Sequence, residues 1–314
     1  MRVIITGPTG AIGHALIEEC LEHGDEVLAI CHPGSKRIAS LPKSDLLEIM
    51  ELDLADYGKK AKELSEPAKN PYDIFFHFAW KGTTGADRND TGLQKENGKA
   101  SLEAVLLART FGCHTFIGAG SQAEYGRFEG LLKPDTEPYP ENAYGKVKLA
   151  TGVATRALCK NLQMRHIWTR VLSIYGPYDG EKSMIISSLR KMTRGDNAQF
   201  TKGEQKWDYL FSKDAGRAFY LLAQKGIDGK VYVIGSGKTE KLSDYINVMT
   251  EKVKLLTGNT PEIELGAIPY GEKQVMYLCA DLTELTKDTG FVPETEFEEG
   301  IGETIRYVLK TNME

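Results

Sequence analysis

The chain has 314 residues, 41% of them hydrophobic, and a formal net charge of −5 at neutral pH. That length can bury a large core in one domain or two lobes. No apolar stretch is long enough to span a bilayer, and the acidic balance disfavours nucleic acid as the main partner. The first residues lead straight into an apolar run, so no signal peptide is expected. Five scattered cysteines with no CxxC pair fit reduced thiols in a cytoplasm.

Apolar runs alternate with helical patterns through the first half. The periodicity predicts strands at 2–6, 26–31, 47–52, 74–78, 114–119 and 167–174, with helices at 10–22, 58–64, 92–111 and 142–160 and a short turn at 35–41. Such alternation marks a parallel sheet covered on both faces, wound with right-handed crossovers. Beyond Gly176 the order loosens. Helices are expected at 183–193, 212–224, 242–256 and 298–309, with strands at 231–234 and 262–265 and with the run 207–211 following Gln199-Phe200 between the first two helices. The dinucleotide-type domain is therefore expected to span 1–176 plus about 212–237. A smaller, discontinuous lobe would take 177–211 plus 238–314.

Two motifs carry the chemistry. Thr6-Gly7-Pro8-Thr9-Gly10-Ala11-Ile12-Gly13 follows the first apolar run. Its glycines allow a tight strand-to-helix turn and let a pyrophosphate approach backbone N–H groups at a helix N-terminus. Gly7, Thr9, Gly10, Ala11, Ile12 and Gly13 are thus candidate cofactor contacts. The second motif is Tyr144-Gly145-Lys146-Val147-Lys148, with Ser121 placed 23 residues upstream of the tyrosine. Tyr144 and Lys148 share one helix face, so an ammonium can favour a phenolate, and beside a nicotinamide cation as well the phenol is expected to titrate below its free value. Six histidines show no metal-ligand spacing, His77 and His114 fit core or strand-end positions, and no metal is expected.

The second strand ends in Cys31-His32, followed by Pro33-Gly34-Ser35-Lys36-Arg37. An NAD site usually carries a carboxylate about twenty residues after the glycines, for the ribose 2′-hydroxyl. None stands there, whereas His32, Lys36 and Arg37 would welcome a 2′-phosphate. NADP is the expected cofactor, with NAD possible.

With these motifs in this order, the chain resembles the short-chain dehydrogenase/reductases. It resembles in particular their extended branch of nucleotide-sugar epimerases, dehydratases and 4-ketoreductases. The resemblance implies a Rossmann-type, doubly wound α/β fold with a smaller C-terminal substrate lobe. It implies Ser121, Tyr144 and Lys148 as the catalytic set, with Lys148 also on the nicotinamide ribose. It adds Asp53 and Leu54 near the adenine, Phe78, Ala79 and Trp80 along the adenosine ribose and diphosphate, Asn97 in the long helix, and Val171 in the strand closing over the nicotinamide. Ser121, Gln122, Tyr144, Ser173 and Trp207 would meet the substrate, and a homodimer through the helices at 92–111 and 142–160 is implied.

The departures from that branch are informative. Dehydratases carry an Asp-Glu pair after the catalytic Thr; here Gln122-Ala123 stand there, and neither can serve as an acid. Ser173 stands where relatives often have Asn, and Trp207 where they often have an Arg that holds the nucleotide. An indole cannot pair with phosphate, though it can stack on a base or sugar. The expected activity is NADP-dependent reduction of a nucleotide-linked 4-keto sugar. The alternatives are a 4-epimerase with retained cofactor, using the same residues, and a non-catalytic NADP-binding sensor.

Overall fold

The computed structural model describes residues 1–64 and 70–311. The first half runs β1 (Arg2–Thr6), α1 (Ala11–Glu22), β2 (Glu26–Cys31), β3 (Leu47–Glu51), α2 (Tyr57–Glu63), β4 (Ile74–His77), α3 (Thr91–Thr110), β5 (Thr115–Ala119), α4 (Ala143–Asn161) and β6 (Arg165–Val171). The second half continues with β7 (Ser173–Tyr175), α5 (Met184–Met192), β8 (Ala198–Phe200), β9 (Lys206–Trp207), β10 (Tyr209–Phe211) and α6 (Ser212–Lys225). It closes with β11 (Val231–Ile234), β12 (Glu240–Lys241), α7 (Leu242–Thr257), β13 (Ile263–Leu265), α8 (Thr283–Thr289) and α9 (Phe297–Thr311).

Seven strands pair in the order β11-β6-β5-β4-β1-β2-β3, all parallel. The central strands read as unbroken apolar runs, Val3-Ile4-Ile5 and Phe75-Phe76, because both of their faces are covered. Alternate side chains divide between two cores. Val3, Ile5 and Phe76 pack with Leu16 of α1 and Phe219 of α6; Ile4 and Phe75 pack with Ala104 and Val105 of α3. The chain order reverses between β1 and β4, which opens a crevice at the carboxyl ends of these strands. A third core, built from Ile186, Leu189, Ile246, Met249, Ile301 and Ile305, joins α5, α7 and α9.

The structure departs from the sequence reading in four places. The strand expected at 167–174 is two: β6 stays in the large sheet, while β7 pairs with β10 outside it. The run 207–211 is likewise two strands in different sheets, β9 against β12 and β10 against β7. Asp208 lies between them, fully buried, its carboxylate accepting the N–H groups of Ser236, Gly237 and Ala280. That inward polar anchor turns the chain, which an apolar pattern does not reveal. Helix α8 and the two-residue β12 are additional elements. Leu285 of α8 and Phe291 join the core beneath the large sheet, so the chain after 238 does not all belong with the third core.

Candidate active site

The turn after β1 fits a dinucleotide. Gly7 has φ +67°, and a Cβ there would lie 2.9 Å from the Ala79 nitrogen; a Cβ on Gly13 would meet the Gly7 carbonyl at 2.4 Å. Glycine is required at both by close backbone approach. Gly10 differs: a Cβ there would find its nearest neighbour at 3.7 Å, so the space it leaves is open to a ligand. Gly10 caps α1 with no side-chain hydrogen bond, and the first turn of α1 holds no acidic residue. Unfilled N–H groups at the positive end of a helix dipole suit a phosphate. Thr9 is half-buried in this turn, Ala11 is buried, and Ile12 packs partly against the core.

The other expected cofactor residues fall into two groups. His32, Lys36 and Arg37 are exposed on the segment after β2. His32 lies 3.0 Å from Asp53, and Arg37 donates to the Tyr178 carbonyl. Carboxylates do reach this segment, from β3 and the turn after it: Glu51 accepts the Gly34 N–H at 2.7 Å, and Asp53 meets both His32 and Lys81. The Ala55 N–H, then Lys81 and His32, hold the Asp53 carboxyl below its ordinary range. Phe78 and Ala79 bring their backbone to the glycine turn, both N–H groups donating to the Thr6 hydroxyl at 3.2 Å.

Three expected contacts have their side chains committed elsewhere. Leu54 and Val171 are buried in the two sheet cores. The Asn97 amide is spent on both backbone groups of Lys81, at 3.0 and 2.8 Å, and so pins the loop after β4. Apolar strand-end positions turn inward to fill the core, and a buried amide satisfies itself on the nearest backbone.

Ser121, Tyr144 and Lys148 converge. Ser121 caps the short turn Gln122–Glu124, its hydroxyl accepting the Ala123 N–H at 3.2 Å. Asn142 caps α4 by accepting the Gly145 N–H, which sets Tyr144 in the first turn and Lys148 one turn later. Lys148 is buried, donates to the Ala119 carbonyl at 2.6 Å, and sits 3.6 Å from the centre of the Trp80 ring and 5.9 Å from that of Tyr144. Burial pushes the lysine down to about 7, opposed by Glu124. Burial raises Tyr144, and a hydrogen bond with Ser121 and the charge of Arg88 oppose that rise without cancelling it.

Several neighbours escaped the sequence reading. Glu124 is fully buried; it accepts the Ser121 N–H at 2.9 Å, the Trp168 indole N–H at 3.2 Å and the Arg170 guanidinium at 3.0 Å. The Ser-x-x-Glu spacing of a capping box was the readable signal for it. Arg88 lies 4.6 Å from the centre of the Tyr144 ring, on the loop after β4, where no spacing rule marks it. The Trp80 indole donates to buried Gln94 at 2.7 Å, which fixes the ring beneath Lys148.

Next to Ser121 and Tyr144 opens a cleft of about 490 Å³, lined also by Arg88, Gln122, Ser173 and Trp207. Two of the departures from the family pattern meet there: the Trp207 indole donates to the Ser173 hydroxyl at 2.7 Å. Among the described residues, no helix is long and apolar enough to cross a membrane.

Comparison with known proteins agrees with this geometry. Residues 3–235 match the NAD dependent epimerase/dehydratase family. The chain is 26% identical to dTDP-glucose 4,6-dehydratase of Escherichia coli, covering 98% of this chain and 94% of that protein. It is 25% identical to dTDP-4-dehydro-6-deoxyglucose reductase of the same organism, covering 98% and 97%. UDP-glucose 4-epimerase of Thermotoga maritima shares the fold at a TM-score of 0.85 and 23% identity, over 99% of this chain and 100% of that one. The chain belongs to the NAD dependent epimerase/dehydratase family, an enzyme family of the extended short-chain dehydrogenase/reductase type.

Proposed function

We propose that this enzyme reduces a nucleotide-linked 4-keto sugar with NADPH. The observation that carries the reading is the turn beyond Ser121. Gln122 lines the cleft and Ala123 is buried, so the positions of a dehydratase's acid pair offer no proton donor. The cationic segment after β2 supports NADPH over NADH, and an exchangeable co-substrate supports net reduction over epimerisation. The family includes a reductase of this kind among the relatives.

The bound nicotinamide supplies the hydride. Tyr144 gives its phenolic proton to the carbonyl oxygen as that oxygen gains charge. Ser121 donates a hydrogen bond to the same oxygen and directs it toward Tyr144. Lys148, held at the carbonyl end of β5, bonds the nicotinamide ribose and steadies the phenolate left behind. Trp207 presents an indole face to the nucleotide or sugar in place of a charged clamp. The protein acts in the cytoplasm, where its five buried free cysteines stay reduced. It works as a homodimer through α3 and α4, which leave Leu106 and Val153 exposed; light scattering at micromolar concentration checks this, and a monomer refutes it.

The test is direct: incubate the enzyme with NADPH and nucleotide-linked 4-keto-6-deoxysugars, and follow the absorbance of the reduced nicotinamide. Oxidation of NADPH with formation of the 4-hydroxy sugar is expected. Interconversion of non-keto sugars without net oxidation would make the protein a 4-epimerase; no reaction across several bases would favour a sensor.

A further inference from the structure

We propose that Arg88 is the residue through which this cleft binds an oxyanion of its substrate, a phosphate or carboxylate oxygen; the inference rests on the reading of the cleft as a substrate site. Charge in the cleft is sparse. Of the residues lining it, Arg88 is the cation and Asp179 the carboxylate, and the polar remainder consists of neutral Ser, Thr, Gln, Tyr and Trp. Asp179 is engaged with the Gly180 N–H at 2.6 Å and with Ser183. A carboxyl so engaged offers an anion no counter-charge, so a negatively charged substrate finds its partner in Arg88.

Arg88 itself is underused. A guanidinium has five N–H donors in a planar fork suited to two oxygens at once. One of them reaches the Thr83 carbonyl, at a long 3.4 Å, and among the described residues no carboxylate lies within ion-pair distance of the group. The side chain is half-buried, and the Tyr144 ring holds it 4.6 Å from the ring centre. A guanidinium so placed, stacked and short of acceptors, gains two charge-assisted hydrogen bonds when an oxyanion arrives. Trp207, also on the lining, offers no substitute. It occupies the position where relatives often carry the nucleotide-holding arginine, and its one N–H is committed to Ser173. The cleft's affinity for anionic oxygen therefore falls on Arg88, beside Tyr144.

The experiment uses the full chain, as wild type, Arg88→Met and Arg88→Lys, with calorimetric titration of UDP, TDP, GDP, CDP and ADP, and of free glucuronate. The wild type should bind at least one nucleoside diphosphate. Arg88→Met should weaken that binding by about tenfold or more, the worth of a charge-assisted bond, and Arg88→Lys should recover part of it. Melting temperatures should match, since Arg88 lies on a surface loop; Arg88→Gln replaces the Met variant if folding suffers. If no diphosphate binds but glucuronate does, and only with Arg88 present, the oxyanion is a carboxylate. The inference then stands while the nucleotide reading fails. Equal binding of every probe to wild type and variant, or no binding of any probe, overturns it. The ketone-reduction assay remains a separate test of the activity.

Discussion

Glu124→Gln strikes the group that joins the core to Ser121. Glu124 and the Arg170 side chain are 0% and 7% exposed, with nitrogen and oxygen 3.0 Å apart. Glutamine keeps the volume and one carbonyl oxygen, enough to accept from Ser121 or Trp168 but not to balance the guanidinium. Breaking a buried ion pair from one side costs about 3–5 kcal/mol, because the remaining charge stays buried without compensation. The retained amide oxygen argues for the lower end, about 3 kcal/mol. In a chain of 314 residues that corresponds to a fall of about 4–5 °C in melting temperature. The Ser121 N–H also loses a charged acceptor, so kcat should fall about tenfold or more with KM little changed, since Glu124 does not line the cleft. Scanning calorimetry and steady-state kinetics measure both. The double variant Glu124→Gln, Arg170→Met removes both charges and should recover much of the lost stability, because no unpaired ion remains. A single variant that melts within about 1 °C of wild type, or a double variant less stable than the sum of its parts, refutes the strut.

Tyr144→Phe should lower kcat by about 10²–10⁴-fold while cofactor affinity, followed by fluorescence, stays nearly constant; retention of more than about a tenth of kcat removes the tyrosine from proton transfer. Lys148 carries a pH signature. Its pKa falls from 10.5 to about 7 on folding, so the unfolded chain binds more protons between these values and the buried ammonium costs stability most fully below about pH 7. Lys148→Met should therefore gain in melting temperature over wild type most at acidic pH, with the gain shrinking toward about pH 10; a gain flat with pH is the contrary result. Trp80→Leu removes the ring face that favours the ammonium, worth up to about 2 kcal/mol when desolvated, and should move the lysine's limb of the pH–rate profile toward acid by about one unit. NADPH should bind more tightly than NADH in parallel titrations, and the reverse order would mean that Glu51 and Asp53, rather than Lys36 and Arg37, meet the ribose.

The glycine turn, the Tyr144–Lys148 spacing and the strand–helix alternation were legible in the sequence because each is local. A positive φ, a helix face and a period of burial are properties of neighbouring residues. These local features were enough to predict the parallel sheet and the family resemblance. What tertiary structure alone decided lies in contacts between distant segments. Arg88 meets Tyr144 across 56 positions and Glu124 meets Arg170 across 46, while Trp207 reaches Ser173 across 34. Asp208 draws in backbone from Ser236 and Ala280, and that buried anchor divides the run 207–211 between two sheets. In the protein without cofactor, burial raises the Tyr144 phenol and lowers the Lys148 ammonium. Spacing gives the distance between two groups, whereas burial, which sets the cost of charging either one, is a property of the whole fold.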